Sequence, residues 1–193
     1  MSRPSAVRAA SCVGLLGLSG LLLPNAALAD PPQFLADAWQ RWQTLRDAGS
    51  PAIYASGYIW HDPQTYSAQK LASLNQAGWG VGWGKQLNAP GGQDMVYALA
   101  FLDSHRALQP MLGYARQWTW SPAPDLPSLG LGYTAGLTAR ADMLHNAPFP
   151  IALPLASLSW GRFTVFGAFL PRLNGMPNNG NVAFVFARYR YGP

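Results

Sequence analysis

The sequence predicts an all-β fold, an eight-stranded antiparallel transmembrane β-barrel that follows one N-terminal amphipathic α-helix. Three observations predict it. Only one segment has helical periodicity, strand-like segments separated by Gly/Pro-rich turns follow it, and several of these are apolar or small at nearly every position. The chain is 12% aromatic and only 11% charged, whereas a soluble domain carries roughly 25% charged residues. This composition favours a wall that faces lipid.

Residues 1–29 are typical of a secretory signal peptide. Arg3 and Arg8 give a basic start, an apolar run follows, and Ala-Leu-Ala at 27–29 matches a cleavage site. The apolar run is too short for a membrane-spanning helix, which needs roughly 20 residues. We expect cleavage after residue 29 and a single domain over residues 30–193. The one cysteine lies before the cleavage site, so the remaining domain has no disulfide or thiol nucleophile.

Residues 34–46, FLADAWQRWQTLR, form the predicted helix. Phenylalanine, leucine and tryptophan recur at helical spacing, and glutamine and arginine fall on the other side. Gly49 and Pro51 end the pattern. The helix could pack on a soluble core or lie on a membrane surface with its tryptophans at the headgroups, and its sequence alone leaves both open.

Eight strands are expected within residues 52–191. A one-faced soluble sheet would have a polar outer face, and a sheet buried on both faces would need more helices than this chain offers. A closed barrel in lipid pairs its backbone without leaving an edge. The predicted strands are 52–60, 78–86, 93–102, 110–120, 128–138, 148–158, 162–170 and 180–191.

Aromatic residues at the strand ends are typical of the two interfacial girdles of a membrane barrel. Eight strands leave room for side chains or one small ligand. Apolar and small residues on both faces predict an apolar interior, which suits an acyl chain better than water. The girdle residues are Trp60, Trp79, Trp118, Trp120, Trp160, Tyr189 and Tyr191.

Polar residues with catalytic potential follow two odd-numbered strands. His61 ends strand 1, and Asp103 and Ser104 end strand 3 in the stretch ALAFLDSHRA. The ends of odd strands share one rim of an antiparallel barrel, so we expect His61, rather than the adjacent His105, to meet this pair. The helix lies at the opposite, periplasmic rim. Asp and Ser also favour ordinary turns, so a solvated turn and a catalytic cluster both remain open.

Several classes of site find no support in the sequence. The 13 Lys and Arg residues are scattered, which argues against nucleic-acid binding. Metal-ligand spacing, a P-loop and a dinucleotide fingerprint are all missing. We therefore expect no metal and no cofactor.

Five motifs in order resemble the PagP family of lipid A palmitoyltransferases, over roughly Ile53 to Arg190. The resemblance implies an outer-membrane enzyme, expected to be monomeric, that moves a palmitoyl chain from a phospholipid to lipid A. It implies essential surface-facing roles for His61, Asp103 and Ser104. The motifs are YIWHD, YALAFLDS, LGLGYTAGLTAR, PFPIALPLAS and NNGNVAFVFAR.

The resemblance also implies a lateral gate and an acyl-chain ruler. Pro154 and Pro171 match the family's gate prolines, and a proline can separate neighbouring strands because it lacks a ladder donor. A second family gate lies between strands 1 and 2, but its prolines are missing here. The family's ruler glycine corresponds to Ala115, on the same strand face as Met111 and Gly113, so these three are expected to line the acyl pocket.

The chemistry and the function class each keep alternatives. Ser104 could be the nucleophile with His61 as its base, or His61 could activate the lipid A hydroxyl directly while Ser104 holds the ester carbonyl. Arg140 and His145 could bind phosphates or be solvated loop charges. An outer-membrane esterase or lipase with the same three residues, and a non-catalytic structural barrel, are the rival functions.

Overall fold

The computed structural model of the protein describes residues 33–123, 125–172 and 180–192. Eight antiparallel strands close into one barrel, in which each strand pairs with its neighbours in sequence and the last pairs with the first. A helix precedes the first strand. These features confirm the predicted eight-stranded antiparallel barrel with a helix before its first strand. The predicted signal peptide lies outside the described residues.

The observed strands match the predicted ones to within a few residues. Two further elements, the 3-10 turn Leu144–Asn146 and the helix Ala68–Ser73, were not predicted because such short segments show no periodic pattern. The helix Ala68–Ser73 begins with a capped turn. Its N-cap is Ser67, whose hydroxyl accepts from the backbone N–H of Lys70 at 3.3 Å. The elements are α1 (Gln33–Ala48), β1 (Ser50–His61), α2 (Ala68–Ser73), β2 (Gly80–Ala89), β3 (Gly92–Leu102), β4 (Leu108–Trp120), β5 (Ser128–Thr138), a 3-10 turn (Leu144–Asn146), β6 (Phe149–Trp160), β7 (Phe163–Leu170) and β8 (Val182–Arg190).

Helix α1 packs against β2 and β3. Leu45 is its fully buried anchor, and Lys85 Nζ donates to the carbonyl of Arg46. Trp39 and Trp42 stack on each other at 5.0 Å and stay exposed. Because β3 starts beside α1 and ends just before Asp103, the helix lies at the rim opposite His61 and Asp103. None of the helices in the described part of the chain has the length and apolar character to span a membrane.

The outer wall of the barrel is apolar. Many large apolar side chains of the strands are exposed, and so are all of the aromatic residues predicted at the strand ends. Further well-exposed apolar residues of the strands are Ile53, Val81, Trp83, Leu112, Leu131, Leu137 and Leu158.

The interior is divided into two halves, which corrects the expectation of an apolar interior throughout. Toward the His61 rim it is lined by apolar side chains. Toward α1 it is filled by a hydrogen-bonded polar network around Arg188, which donates to Gln93 Oε1 at 3.2 Å and to Thr164 Oγ1 at 2.8 Å. Gln117 joins the network by accepting from Gln93 and from Ser157, each at 2.9 Å.

The ladder of paired strands is incomplete at two places, both toward the His61 rim. Strands β6 and β7 pair only between Leu155↔Ala168 and Trp160↔Phe163, so the first half of β6 has no ladder partner in β7. Strands β1 and β2 pair only up to Ser56↔Gly80, just before a register shift in β1. The wall is therefore fully laddered near α1 and open in places near His61.

Phe166 is the largest fully buried side chain in the described barrel, and it stacks on Phe186 at 4.9 Å. We expect Phe166→Ala to lower the free energy of unfolding by about 3–5 kcal/mol, because it leaves a cavity in a packed interior. Phe169→Ala is the matched control, since Phe169 lies on the same strand and is 39% exposed. Urea unfolding in detergent measures both. Equal losses would contradict the assignment of Phe166 to the interior.

Candidate active site at the barrel rim

His61 and Ser104 meet at one rim of the barrel. The imidazole Nε2 of His61 lies 2.9 Å from the hydroxyl Oγ of Ser104. His61 is the last residue of β1 and is 4% exposed, and Ser104 is half-buried in the turn after β3. When the imidazole proton sits on Nδ1, the serine donates to Nε2, which is the geometry of a base beside a nucleophile.

Asp103 is buried but is not the partner of His61. Its Oδ1 accepts from the backbone N–H groups of His105 at 2.8 Å and Ala107 at 2.9 Å. Its own backbone N–H donates to the carbonyl of Ala107, and Arg106 adopts a φ of 61° between them. The carboxylate thus shapes the tight turn that carries Ser104. It does not make the carboxylate–imidazole contact of a serine-protease triad.

Asn75 holds this turn from the segment that precedes β2. Its backbone N–H donates to the carbonyl of Ser104 at 2.8 Å, and its Nδ2 donates to the carbonyl of Asp103 at 3.2 Å. The position of Ser104 is therefore set from two sides, by Asp103 within the turn and by Asn75 across it. Sequence reasoning missed Asn75, because an asparagine in a polar loop has no distinguishing pattern.

A charged cluster lies next to the turn. Arg140 binds Asp142 through two hydrogen bonds, at 3.0 and 2.9 Å, and its Nη2 is 4.0 Å from Asp103 Oδ2. The guanidinium holds the pKa of the Asp142 carboxyl below its usual range. His105 Nδ1 is 3.5 Å from Asp142 Oδ2.

Asp103, His105 and Asp142 offer three ligand atoms within 4.8 Å of one another, so this is where the described residues could best hold a cation. However, Arg140 already engages both carboxylate oxygens of Asp142, and two backbone N–H groups engage Oδ1 of Asp103. A positive guanidinium inside the donor set opposes a metal ion. We assign no metal to this cluster.

An apolar cavity opens beside the His61–Ser104 pair. Ser104, Asp103 and Arg140 stand at its polar end, and Tyr97 and Phe186 lie at its deep end. The Tyr97 hydroxyl bonds to Thr134 Oγ1 at 2.8 Å, which fixes the ring across the barrel. The remaining walls are Ile59, Leu99, Phe101, Gln109, Met111, Ile151, Leu153, Ala168, Leu170, Val182 and Phe184.

The three residues expected to line the acyl pocket take different positions. Met111 lines the cavity. Gly113 is buried against Tyr97, and a Cβ built there would lie 2.7 Å from Cζ of that ring. Ala115 is fully buried and pairs with Met95 and Thr134, deeper than the cavity lining. All three face inward, with Tyr97 between the cavity and the other two.

The two prolines expected to form a lateral gate lie where β6 and β7 lose their pairing. Pro154 pairs with Tyr133 on β5, and it directly precedes Leu155, where the β6–β7 ladder begins. Pro171 follows the last residue of β7. Between β1 and β2, where the family prolines are missing, Ser56 Oγ donates to the carbonyl of Gly78 at 2.6 Å. Side-chain bonding thus replaces some of the ladder at this second gap.

Comparisons with known proteins agree with one another. The family described as "Antimicrobial peptide resistance and lipid A acylation protein PagP" matches residues 41–188. The "Lipid A acyltransferase PagP" of Bordetella parapertussis is 38% identical over 174 residues, covering 89% of this chain and 93% of that protein. The protein of the same description from Legionella pneumophila strain Paris is 40% identical over 157 residues, covering 80% and 82%. That from Methylobacillus flagellatus is 37% identical over 155 residues, covering 80% and 78%.

The contribution of the Asp103 hydrogen bonds to the turn can be tested by measuring the free energy of unfolding of Asp103 variants. We expect Asp103→Ala to lower the free energy of unfolding by about 1–3 kcal/mol, because two backbone N–H groups lose their acceptor. Asp103→Asn keeps an acceptor oxygen and should lose much less. Urea unfolding of both variants in detergent measures the difference. Equal destabilisation of the two would mean that the charge, and not the acceptor, holds the turn.

Proposed function

This chain belongs to the PagP family, and from that premise we propose that it is an outer-membrane acyltransferase. It moves a palmitoyl chain from a phospholipid to a hydroxyl of lipid A. The observation that carries the proposal is the 2.9 Å contact between His61 Nε2 and Ser104 Oγ at the polar end of an apolar cavity. A base beside a hydroxyl suits acyl transfer, and the cavity beside them suits the acyl chain.

The surface of the barrel supports a location in the outer membrane. The outer wall is apolar and exposed, and aromatic residues ring the strand ends, as in barrels that face lipid. Trp39 and Trp42 on α1 are suited to the opposite interface. We assign the His61 rim to the cell surface and the α1 rim to the periplasm, so the active site meets the leaflet that carries lipid A.

Two chemical routes fit the His61–Ser104 pair. In the first, His61 takes the proton of Ser104, Oγ attacks the ester carbonyl, and the lysophospholipid leaves with that proton. The lipid A hydroxyl then attacks the acyl-serine and gives its proton to His61, which passes it to the departing Oγ, so that the Ser104 hydroxyl and the neutral imidazole are both restored. In the second, His61 deprotonates the lipid A hydroxyl for direct attack, the proton passes to the leaving lysophospholipid, and Ser104 donates to the carbonyl oxygen. A covalent acyl adduct at Ser104 distinguishes the first route.

Asp103 acts on this chemistry through position. Its carboxylate bonds to the backbone of the turn, so it fixes where the Ser104 hydroxyl stands relative to the imidazole. Its negative charge, with that of Asp142, also places Arg140 at the mouth of the cavity. A misplaced hydroxyl would lose the near-attack geometry that accounts for much of such a rate enhancement.

The acyl chain enters sideways between β6 and β7. The first half of β6 lacks ladder bonds to β7, and Ile151 and Leu153 on that half line the cavity. Pro154 and Pro171 flank the opening and remove ladder donors. A lipid can therefore slide its chain from the membrane into the cavity while its headgroup stays at the rim.

Mass spectrometry of lipid A and of free fatty acids from cells with and without the gene separates the three candidate functions. An acyltransferase adds one acyl chain to lipid A when the gene is present. An esterase releases free fatty acid and leaves lipid A unchanged. A structural barrel changes neither.

We expect His61→Ala and Ser104→Ala each to lower acyl transfer by at least about 100-fold, the scale of a lost base or nucleophile. The barrel should stay folded because both side chains lie at the rim. Ser73→Ala is a matched control, since Ser73 is exposed and, among the described residues, its hydroxyl bonds only to Lys70 O, at 2.7 Å within α2. Transfer is assayed in detergent with a radiolabelled phospholipid. Near-normal transfer by both rim variants would refute the chemistry.

The preferred chain length should depend on Tyr97. In Gly113→Ala the new methyl meets the Tyr97 ring and pushes it toward the cavity, so we expect a shorter preferred acyl chain. Ala115→Gly lies below the ring and should change the preference less. Transfer from phospholipids of graded chain length measures both variants. A longer preferred chain in Ala115→Gly, with no change in Gly113→Ala, would make Ala115 the end of the pocket.

A further inference from the structure

Only one of the two ring nitrogens of His61 has a hydrogen-bond partner in the part of the chain that the structure describes. Nε2 contacts Ser104, whereas Nδ1 is buried and has no hydrogen-bond partner among the described residues. The carboxylate that would usually orient such a ring, that of Asp103, is bonded to its own turn. Another contact must therefore keep the imidazole plane aimed at Ser104.

Tyr66 supplies an aromatic contact to this imidazole. The two ring centroids are 5.5 Å apart and the ring planes meet at 88°, an edge-to-face arrangement. Such pairs have a preferred geometry beyond simple burial. Burial also raises the pKa of the Tyr66 phenol, so the neighbour of His61 stays neutral when the imidazole gains or loses a proton.

The loop that carries Tyr66 is clamped to the chain entering β8. The backbone N–H of Tyr66 donates to Asp62 O at 3.1 Å. Asn181 Nδ2 donates to Asp62 Oδ2, and the backbone N–H of Asn181 donates to Thr65 Oγ1, both at 2.9 Å. These bonds cross from the end of β1 to the start of β8, so the ring is held from both sides of the barrel seam.

Gly180 leaves the space in which the Tyr66 ring lies. A Cβ built on Gly180 would be 2.4 Å from Cε2 of that ring and 2.6 Å from Thr65 Oγ1. The Tyr66 hydroxyl also makes a long hydrogen bond, 3.5 Å, to the carbonyl of Gly180. Any side chain at 180 would displace the ring from this position.

We propose that Tyr66 is the positioning residue of His61, in place of a carboxylate, and that the Asp62–Asn181 clamp and Gly180 hold it there. The inference rests on the proposed function for its kinetic test only. Tyr66 acts through its contact with the imidazole ring. It limits rotation of the imidazole, so that Nε2 faces Ser104 at the moment of proton transfer.

The kinetic test compares the removal of the ring with the removal of its hydroxyl. We expect Tyr66→Leu to lower kcat about 10-fold with KM for the phospholipid unchanged, and Tyr66→Phe to keep near-normal kcat because the ring remains. Tyr58→Leu is the matched control, since Tyr58 lies on β1 but is 44% exposed on the outer wall. A Tyr66→Leu variant with normal kcat, or a Tyr66→Phe variant as slow as Tyr66→Leu, would overturn the proposal.

A spectroscopic test is independent of activity. The chain has only three histidines, so the imidazole resonances of the detergent-solubilised barrel can be assigned by the loss of one set in His61→Ala. The ring current of Tyr66 should shift the His61 resonances, and that shift should vanish in Tyr66→Leu and persist in Tyr66→Phe. Unshifted resonances in the wild-type protein would overturn the proposal even if lipid A acylation is observed.

Gly180→Ala is a second way to remove the contact between Tyr66 and His61. It should displace the Tyr66 ring and lower kcat as Tyr66→Leu does, and the double variant should be no slower than either single variant, because both changes remove the same contact. Fully additive effects would overturn the coupling of Gly180 to Tyr66. If wild-type protein acylates nothing while the His61 shift is present, the proposed function fails and the positioning contact stands.

Discussion

Closure of the sheet between β1 and β8 is the constraint on which the rest of the structure depends. An open sheet with an apolar outer face would expose unpaired backbone groups along two edges, and no solvent in a hydrocarbon environment could satisfy them. The β1–β8 ladder runs from Ala52↔Arg190 to His61↔Val182 and removes both edges. It also ends at His61, so the pairing that closes the barrel sets the height of the imidazole.

Because the sheet is closed, the places where the ladder stops are the openings through its wall. A fully laddered wall has no opening, and a chain could reach the interior only from the end. Near α1 the ladder of strand hydrogen bonds is continuous. Near the opposite rim it stops at two places, between β6 and β7 and between β1 and β2. Along the barrel axis, the fully laddered half near α1 is thus followed by the half near His61 that contains the cavity.

Sequence reasoning found the features of this structure that repeat along the chain. Strand spacing predicted the barrel, and strand direction predicted that His61 would lie with Asp103 and Ser104. What it missed depends on residues that meet only in three dimensions. The hydrogen bonds of Asp103 go to the backbone of a turn with Arg106 at positive φ, which no side-chain pattern reveals.

The polar half of the interior was missed for a similar reason. Gln93, Gln117, Ser157, Thr164 and Arg188 come from five different strands, and each reads in isolation as an ordinary polar residue near a strand end. Only the register brings them into one network. Tyr66 and Gly180 were missed likewise, since they are 114 residues apart and meet across the seam of the barrel.

That polar network closes the interior of the barrel at the end near α1. An apolar guest that enters at the His61 rim comes to a floor of Tyr97 and Phe186, and beneath it to hydrogen-bonded glutamines and a buried guanidinium. Passing further would mean breaking bonds that no hydrocarbon can replace. Within the described part of the barrel this floor closes the cavity from the α1 side, so an apolar guest must leave on the same side of the floor from which it came, through one of the two places where the ladder stops.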